Sequence, residues 1–316
     1  MPRRSYDTGE YAVTVTVRAA EPLDGPTDLL NPRPVPAAAD EEPPAAADRL
    51  VPEPDAGLGG WFGIVRAAVA ACWAPLLMVT TFCAGLPQLL SGSVSEAVVV
   101  APVLTELGGG AGLLLLPLLW VTVVAVKALL LALCVAVVVG LVTGWAADGR
   151  RPGLHAVARL VGHRIGPLWV WFLVLHTAEQ AVVVLGLSGV FGWVLLAVSW
   201  AVAAVAGLLA PVVLFERARG PRRALRLLTR GPRPTMVALA LAAVVPVLVP
   251  ALARELSARF VEGPAVAVAA LLATAVGTLF WLVGATVTYA AAAAVTSGRT
   301  VLTARFLKAA LAAEEA

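Results

Sequence analysis

From Trp61 onward the chain is a succession of long apolar stretches separated by short polar joints, roughly 63–90, 113–145, 166–187, 190–214, 235–252 and 265–296. No other feature narrows its fold as far. About 20 apolar residues in a helix cross the roughly 30 Å of bilayer hydrocarbon. A helix also satisfies its own backbone where no water can. The composition agrees: 60% of the residues are hydrophobic and 14% charged, against about half and a quarter in soluble domains. The expected fold class is therefore all-α, a polytopic helical membrane bundle of six transmembrane helices with short interfacial amphipathic helices. The second and last stretches exceed the length a crossing needs, and Pro117 is placed to break the second near its outer end. The uncharged joint at 186–192 is expected to be a glycine hairpin between spans three and four.

Lys and Arg in the joints set the orientation. The joint 146–165 holds Arg150, Arg151, Arg159 and Arg164, and 215–234 holds seven Arg. The end of the chain adds Arg299, Arg305 and Lys308. By contrast 91–112 has only Glu96 and Glu106, 186–192 has no charge, and 253–264 balances two Arg with two Glu. The basic joints alternate, which six spans with both termini cytoplasmic satisfy at once. The expected location is the cell (plasma or inner) membrane, as a multi-pass protein.

Residues 1–56 differ in kind. They carry five Arg against eleven acids, and 19–56 is rich in Pro, Ala, Asp and Glu. Such a stretch has too little apolar surface to offset its ordering entropy and is expected to be a disordered cytoplasmic tail. Within it, Tyr11–Val17 alternates like a strand, and reads either as part of that tail or as a strand that pairs with another protein's sheet edge. With no apolar h-region behind Arg3 and Arg4, the first apolar segment is expected to act as an internal signal anchor. The expected division is tail 1–56, membrane domain 57–298, and a short cytoplasmic C-terminal helix within 299–316. The net positive charge lies beside the apolar spans, where it suits anionic lipid and not nucleic acid.

Two joints carry helical apolar stripes of their own: Leu154, Val157, Ala158, Val161 and Ile165 in one, and Pro221, Ala224, Leu225 and Leu228 in the other. In the second, Arg219, Arg222, Arg223, Arg226 and Arg230 fall on one helical face. A short helix lying in the cytoplasmic interface, with these arginines as contacts for anionic headgroups, fits the pattern. A polar connector clear of the lipid is the plainer reading.

The run from Ala210 to Gly231 resembles a widespread bacterial six-helix membrane family. That family includes the membrane domain ahead of the catalytic barrel in some glycerophosphodiester phosphodiesterases, and YciC-like membrane proteins. Pro211, Glu216, Gly220, Pro221, Ala224, Leu225 and Gly231 match its pattern, while its usual Ser-Trp is replaced by Leu227-Leu228. The resemblance covers about 61–300 and implies a six-span fold with no defined chemistry. The barrel is not in this chain, so its activity is not implied.

Ionisable groups inside spans are costly and usually have a partner or a task. Lys127 in the second span and His176 and Glu179 in the third form a candidate intramembrane cluster. It reads as a structural pair fixing helix registry, or as a proton- or substrate-handling site. One His and one Glu fall short of a metal site, which needs three or four ligands. Gly186-Leu-Ser-Gly189 has a serine-protease form, but no His follows His176 to serve Ser188. The three cysteines sit in apolar stretches as small buried hydrophobes. No cofactor motif is present. The reading is a non-enzymatic integral membrane protein acting through lipid or protein contacts in the envelope. Its rival is a small-solute transporter, or a subunit of one, built on Lys127, His176 and Glu179.

Overall fold

The computed structural model describes residues 49–53, 56–87, 110–184, 192–216, 220–260, 264–297 and 303–312. They belong to one compact unit, Pro43–Ala316. Among them are nine helices: α1 Gly57–Thr80, α2 Gly110–Asp148, α3 Leu154–Gly162, α4 Ile165–Val184 and α5 Gly192–Glu216, then α6 Pro221–Arg230, α7 Arg233–Phe260, α8 Pro264–Ser297 and α9 Thr303–Ala312. There is no strand among the described residues. Four helical segments are long and apolar enough to cross a membrane: Gly57–Gly85, Val121–Asp148, Ala197–Glu216 and Val268–Thr296. Two shorter apolar segments, Ile165–Ala178 and Arg233–Pro246, lie within α4 and α7. The tail through residue 48, the joints at 91–109 and 186–191, and Ser188 with its Gly-x-Ser-Gly run lie outside the described residues.

Two prolines behave differently. Pro117 does not break the second apolar stretch, since α2 runs unbroken through it for 39 residues. Apolar helices tolerate proline where the surroundings re-satisfy the freed carbonyl. Pro75 has the opposite effect on α1: Cys72, three residues upstream, leaves helical geometry at φ −118° and ψ 20°. The ring of Pro75 crowds the turn before it and removes one hydrogen bond, which kinks the helix there. A π-helical turn, Thr81–Gly85, then continues α1.

The core sits at one end of the bundle. On a helix of 3.6 residues per turn, four consecutive buried residues mean burial on every face. That condition holds over residues 138–144 of α2, 206–215 of α5 and 281–294 of α8. Toward the other end the same helices turn apolar side chains outward, with Val121, Val126 and Leu129 on α2 and Val268, Leu272 and Val276 on α8 exposed. The hub is α8, which packs against α1, α2, α5 and α7. The three short helices all join this packed end, α3 on α2, α6 on α5 and α9 on α2.

Two glycines make room for α3. A Cβ on Gly140 would sit 2.7 Å from the Val157 side chain, and one on Gly144 would sit 3.1 Å from Pro152. The Gly140/Gly144 pair thus serves close approach, by a short helix and its lead-in. Within the stretch assigned to the tail, Leu50 is fully buried in the core, and the Arg49 side chain lies against Gly149. Likewise α9 is docked on the bundle and forms no separate unit.

Candidate functional site: the arginine-rich end of the bundle

The end that holds the three short helices also holds most of the described arginines. In α6, Pro221 at the first turn pre-sets helical φ. Ala224 and Leu227 face the bundle and are buried. Arg222, Arg226 and Arg230 are exposed, and so is Leu225 between them, at 55%. In α3 the pattern repeats: Val157 and Val161 are buried, while Leu154, His155 and Arg159 are exposed. Arg150, Arg151, Arg233 and Arg305 are exposed at the same end.

Arg223 departs from the expected headgroup-facing set. Its Nε donates to both oxygens of Glu216, at 3.2 and 3.0 Å. The Glu216 side chain is only 3% exposed. Tyr289 of α8 donates its hydroxyl to the same carboxylate at 3.1 Å and stacks on Phe215, ring centroids 5.3 Å apart. One acid at the last position of α5 therefore holds α6 through Arg223 and α8 through Tyr289. A carboxylate is costly to bury unless it is paired and hydrogen-bonded in this way. A second polar chain crosses nearby: Trp61 Nε1 donates to Thr288 Oγ1 at 3.0 Å, and Thr288 Oγ1 donates to the Thr235 carbonyl at 3.3 Å. It ties α1, α7 and α8 together.

The helix α9 closes the same end. Ala304, Leu307 and Leu311 are buried, one apolar stripe at helical spacing. Lys308 Nζ reaches both oxygens of Asp148, at 2.8 and 2.6 Å, in an exposed pair. Arg164, 4% exposed, donates Nη2 to the Ala310 carbonyl at 3.3 Å and Nε to His163 Nε2 at 2.8 Å. It is a buried arginine used as a bracket between the start of α4 and α9.

Of the other expected site residues, Lys127 lies on α2 and His176 on α4, both half-buried, on helices that pack together. The side chain of Glu179 and residue Arg219 lie outside the described residues. Trp169 and Trp171 are packing residues: Trp169 Nε1 donates to the Ala125 carbonyl at 3.0 Å, and Trp171 covers Gly220. Among the described residues no three His, Cys, Asp or Glu gather as metal ligands. Sequence reasoning overlooked Tyr289, which precedes an alanine-rich run with no periodic polar signal, and it counted Arg164 only among the orienting charges. No family model, no curated protein and no solved structure matches the chain.

Proposed function

We propose that the chain is a six-span integral membrane protein whose arginine-rich end faces the cytoplasm and holds anionic lipid headgroups. It acts through lipid or protein contacts and not as an enzyme. Four long apolar helices and two further apolar segments support the span count. Exposed arginines clustered at one end support the orientation. The resemblance to the six-helix bacterial family is consistent with the same reading. Its matched residues Glu216, Gly220, Pro221 and Ala224 fall where α5 hands over to α6.

One observation carries the headgroup contact. On α6, exposed Leu225 stands between exposed Arg222 and Arg226, while Ala224 and Leu227 already anchor the helix to the bundle. A connector clear of lipid gains nothing from an outward leucine. A helix at the headgroup boundary buries it in acyl chain and sets the guanidiniums on phosphates. The test is thermal unfolding in nanodiscs of phosphatidylcholine, with and without phosphatidylglycerol. The anionic lipid is expected to stabilise the native chain. The triple variant Arg222→Gln, Arg226→Gln, Arg230→Gln is expected to lose most of that gain, at about 1 kcal/mol per arginine. An equal gain in both proteins would overturn the reading.

A further inference from the structure

Length and composition admit the whole of Gly57–Gly85 as one crossing, yet its geometry divides it. Residues before the kink at Cys72 are two-faced. Trp61, Val65, Ala68 and Cys72 are buried. Leu58, Phe62, Arg66 and Ala70, at every fourth position, are exposed. An exposed arginine among outward apolar side chains is out of place in mid-hydrocarbon and at home at the headgroup boundary.

The contacts of this half-helix lie at the arginine-rich end. Trp61 bonds Thr288, which bonds the Thr235 carbonyl, two residues beyond exposed Arg233 at the start of α7. Further along, Gly85 lies against Leu271 of α8. At 1.5 Å per residue, Trp61 to Gly85 is about 36 Å of helix, whereas Thr288 to Leu271 is about 25 Å of α8. Between these two contacts the first helix, with its kink and π-helical turn, covers more length than α8, so it packs on α8 obliquely and not in parallel.

We infer that residues 57–71 do not cross the bilayer but lie along the cytoplasmic leaflet as an amphipathic helix. Leu58 and Phe62 sit among the upper acyl chains, and Arg66 sits on phospholipid phosphates. The crossing begins at Trp73, beyond the kink. The inference rests on the membrane reading above, and its test separates the two.

Nitroxide labels are placed singly at Leu58, Phe62, Arg66 and Ala70, and at exposed Trp73, Met78 and Phe82. The background carries Cys72→Ala, Cys83→Ala and Cys134→Ala, in nanodiscs containing phosphatidylglycerol. Depth is read from collision with oxygen against a nickel chelate. The first four labels are expected to differ only with the face of the helix they occupy and to show no steady climb along the sequence, while the last three climb by about 1.5 Å per residue. A steady climb from 58 to 82 at that rate, about 18 Å of it before residue 70, would overturn the inference and leave the membrane reading intact. Water-like collision rates at 73, 78 and 82 would overturn both. If a label at one of the first four positions prevents insertion, Gly59, Gly63 and Ala67 replace them. All three are exposed, and the two glycines have open space where a side chain would start.

Discussion

Glu216 joins three helices with one carboxylate, and its partners are unequal. Arg223 brings a charge and is 17% exposed, whereas Tyr289 brings a neutral hydroxyl from a fully buried position. Removing one member of a buried ion pair leaves the other uncompensated, at about 3–5 kcal/mol when burial is complete. For Arg223→Met, with its partial exposure, a loss of about 2–3 kcal/mol is expected. That corresponds to a fall of roughly 5–10 °C in detergent-solubilised melting temperature. Glu216→Gln keeps an acceptor for Tyr289, so the double variant is expected to recover part of the loss. Strictly additive losses would show that the two do not interact. Glycines give a second contrast. A Cβ on Gly284 would meet the Trp61 ring at 2.5 Å, whereas nothing lies within 4 Å of one on Gly59. Gly284→Ala is expected to cost about 1–3 kcal/mol by displacing a rigid indole. Gly59→Ala is expected to stabilise by about 0.5–1 kcal/mol, both read by the same melting assay. Neither contrast was readable beforehand. Helical spacing says which residues share a face, so Arg222, Arg223 and Arg226 looked equivalent. It does not say which edge of that face turns inward to meet an acid left behind at the end of the previous helix.

Helices, unlike individual contacts, were largely legible. Each of the six apolar stretches is helical, and most described ends lie within three residues of those expected. The exceptions are the start of α1, at 57 and not 63, and the end of α7, at 260 and not 252, which carries helix into the expected joint. Their mechanism is local: a long apolar run bounded by charge and Gly/Pro. The short amphipathic helices were legible for the same reason. Kinks were not, because Pro75 and Pro117 are alike in sequence and differ in what packs around them. The docking of α9 was also hidden, since an amphipathic helix does not name its partner. Its energetics are apolar. Leu307→Ala is expected to cost about 2–5 kcal/mol, whereas Lys308→Ala, which removes an exposed ion pair, costs less than about 1 kcal/mol. Limited proteolysis after residue 297 reads the difference: Leu307→Ala should be cut readily and Lys308→Ala should resemble the native chain. Native-like protection of both variants would mean that the Arg164 bracket holds the helix, and ready cleavage of Lys308→Ala that the ion pair does.

At the scale of the molecule, the proposed six crossings with the arginine-rich end inside make a direct topological prediction. Single cysteines replacing Ser91, Ser188 or Ser257 should react with an impermeant maleimide from outside whole cells. Those replacing Arg150, Arg222 or Arg305 should react only after lysis. Reaction at position 222 from outside would reverse the orientation. The arrangement of the long helices has a consequence of another kind, for the order in which the molecule is made. The hub, α8, comes late in the chain, yet α1, α2, α5 and α7 are packed around it. While the ribosome is still short of Pro264, those helices have no centre. The Trp61 indole lacks Thr288, and Glu216 has Arg223 without Tyr289. The contacts that α2 makes with α1 and α4, and that α5 makes with α7, are available before then, so the last long helix is left to complete a packing the earlier ones can only begin.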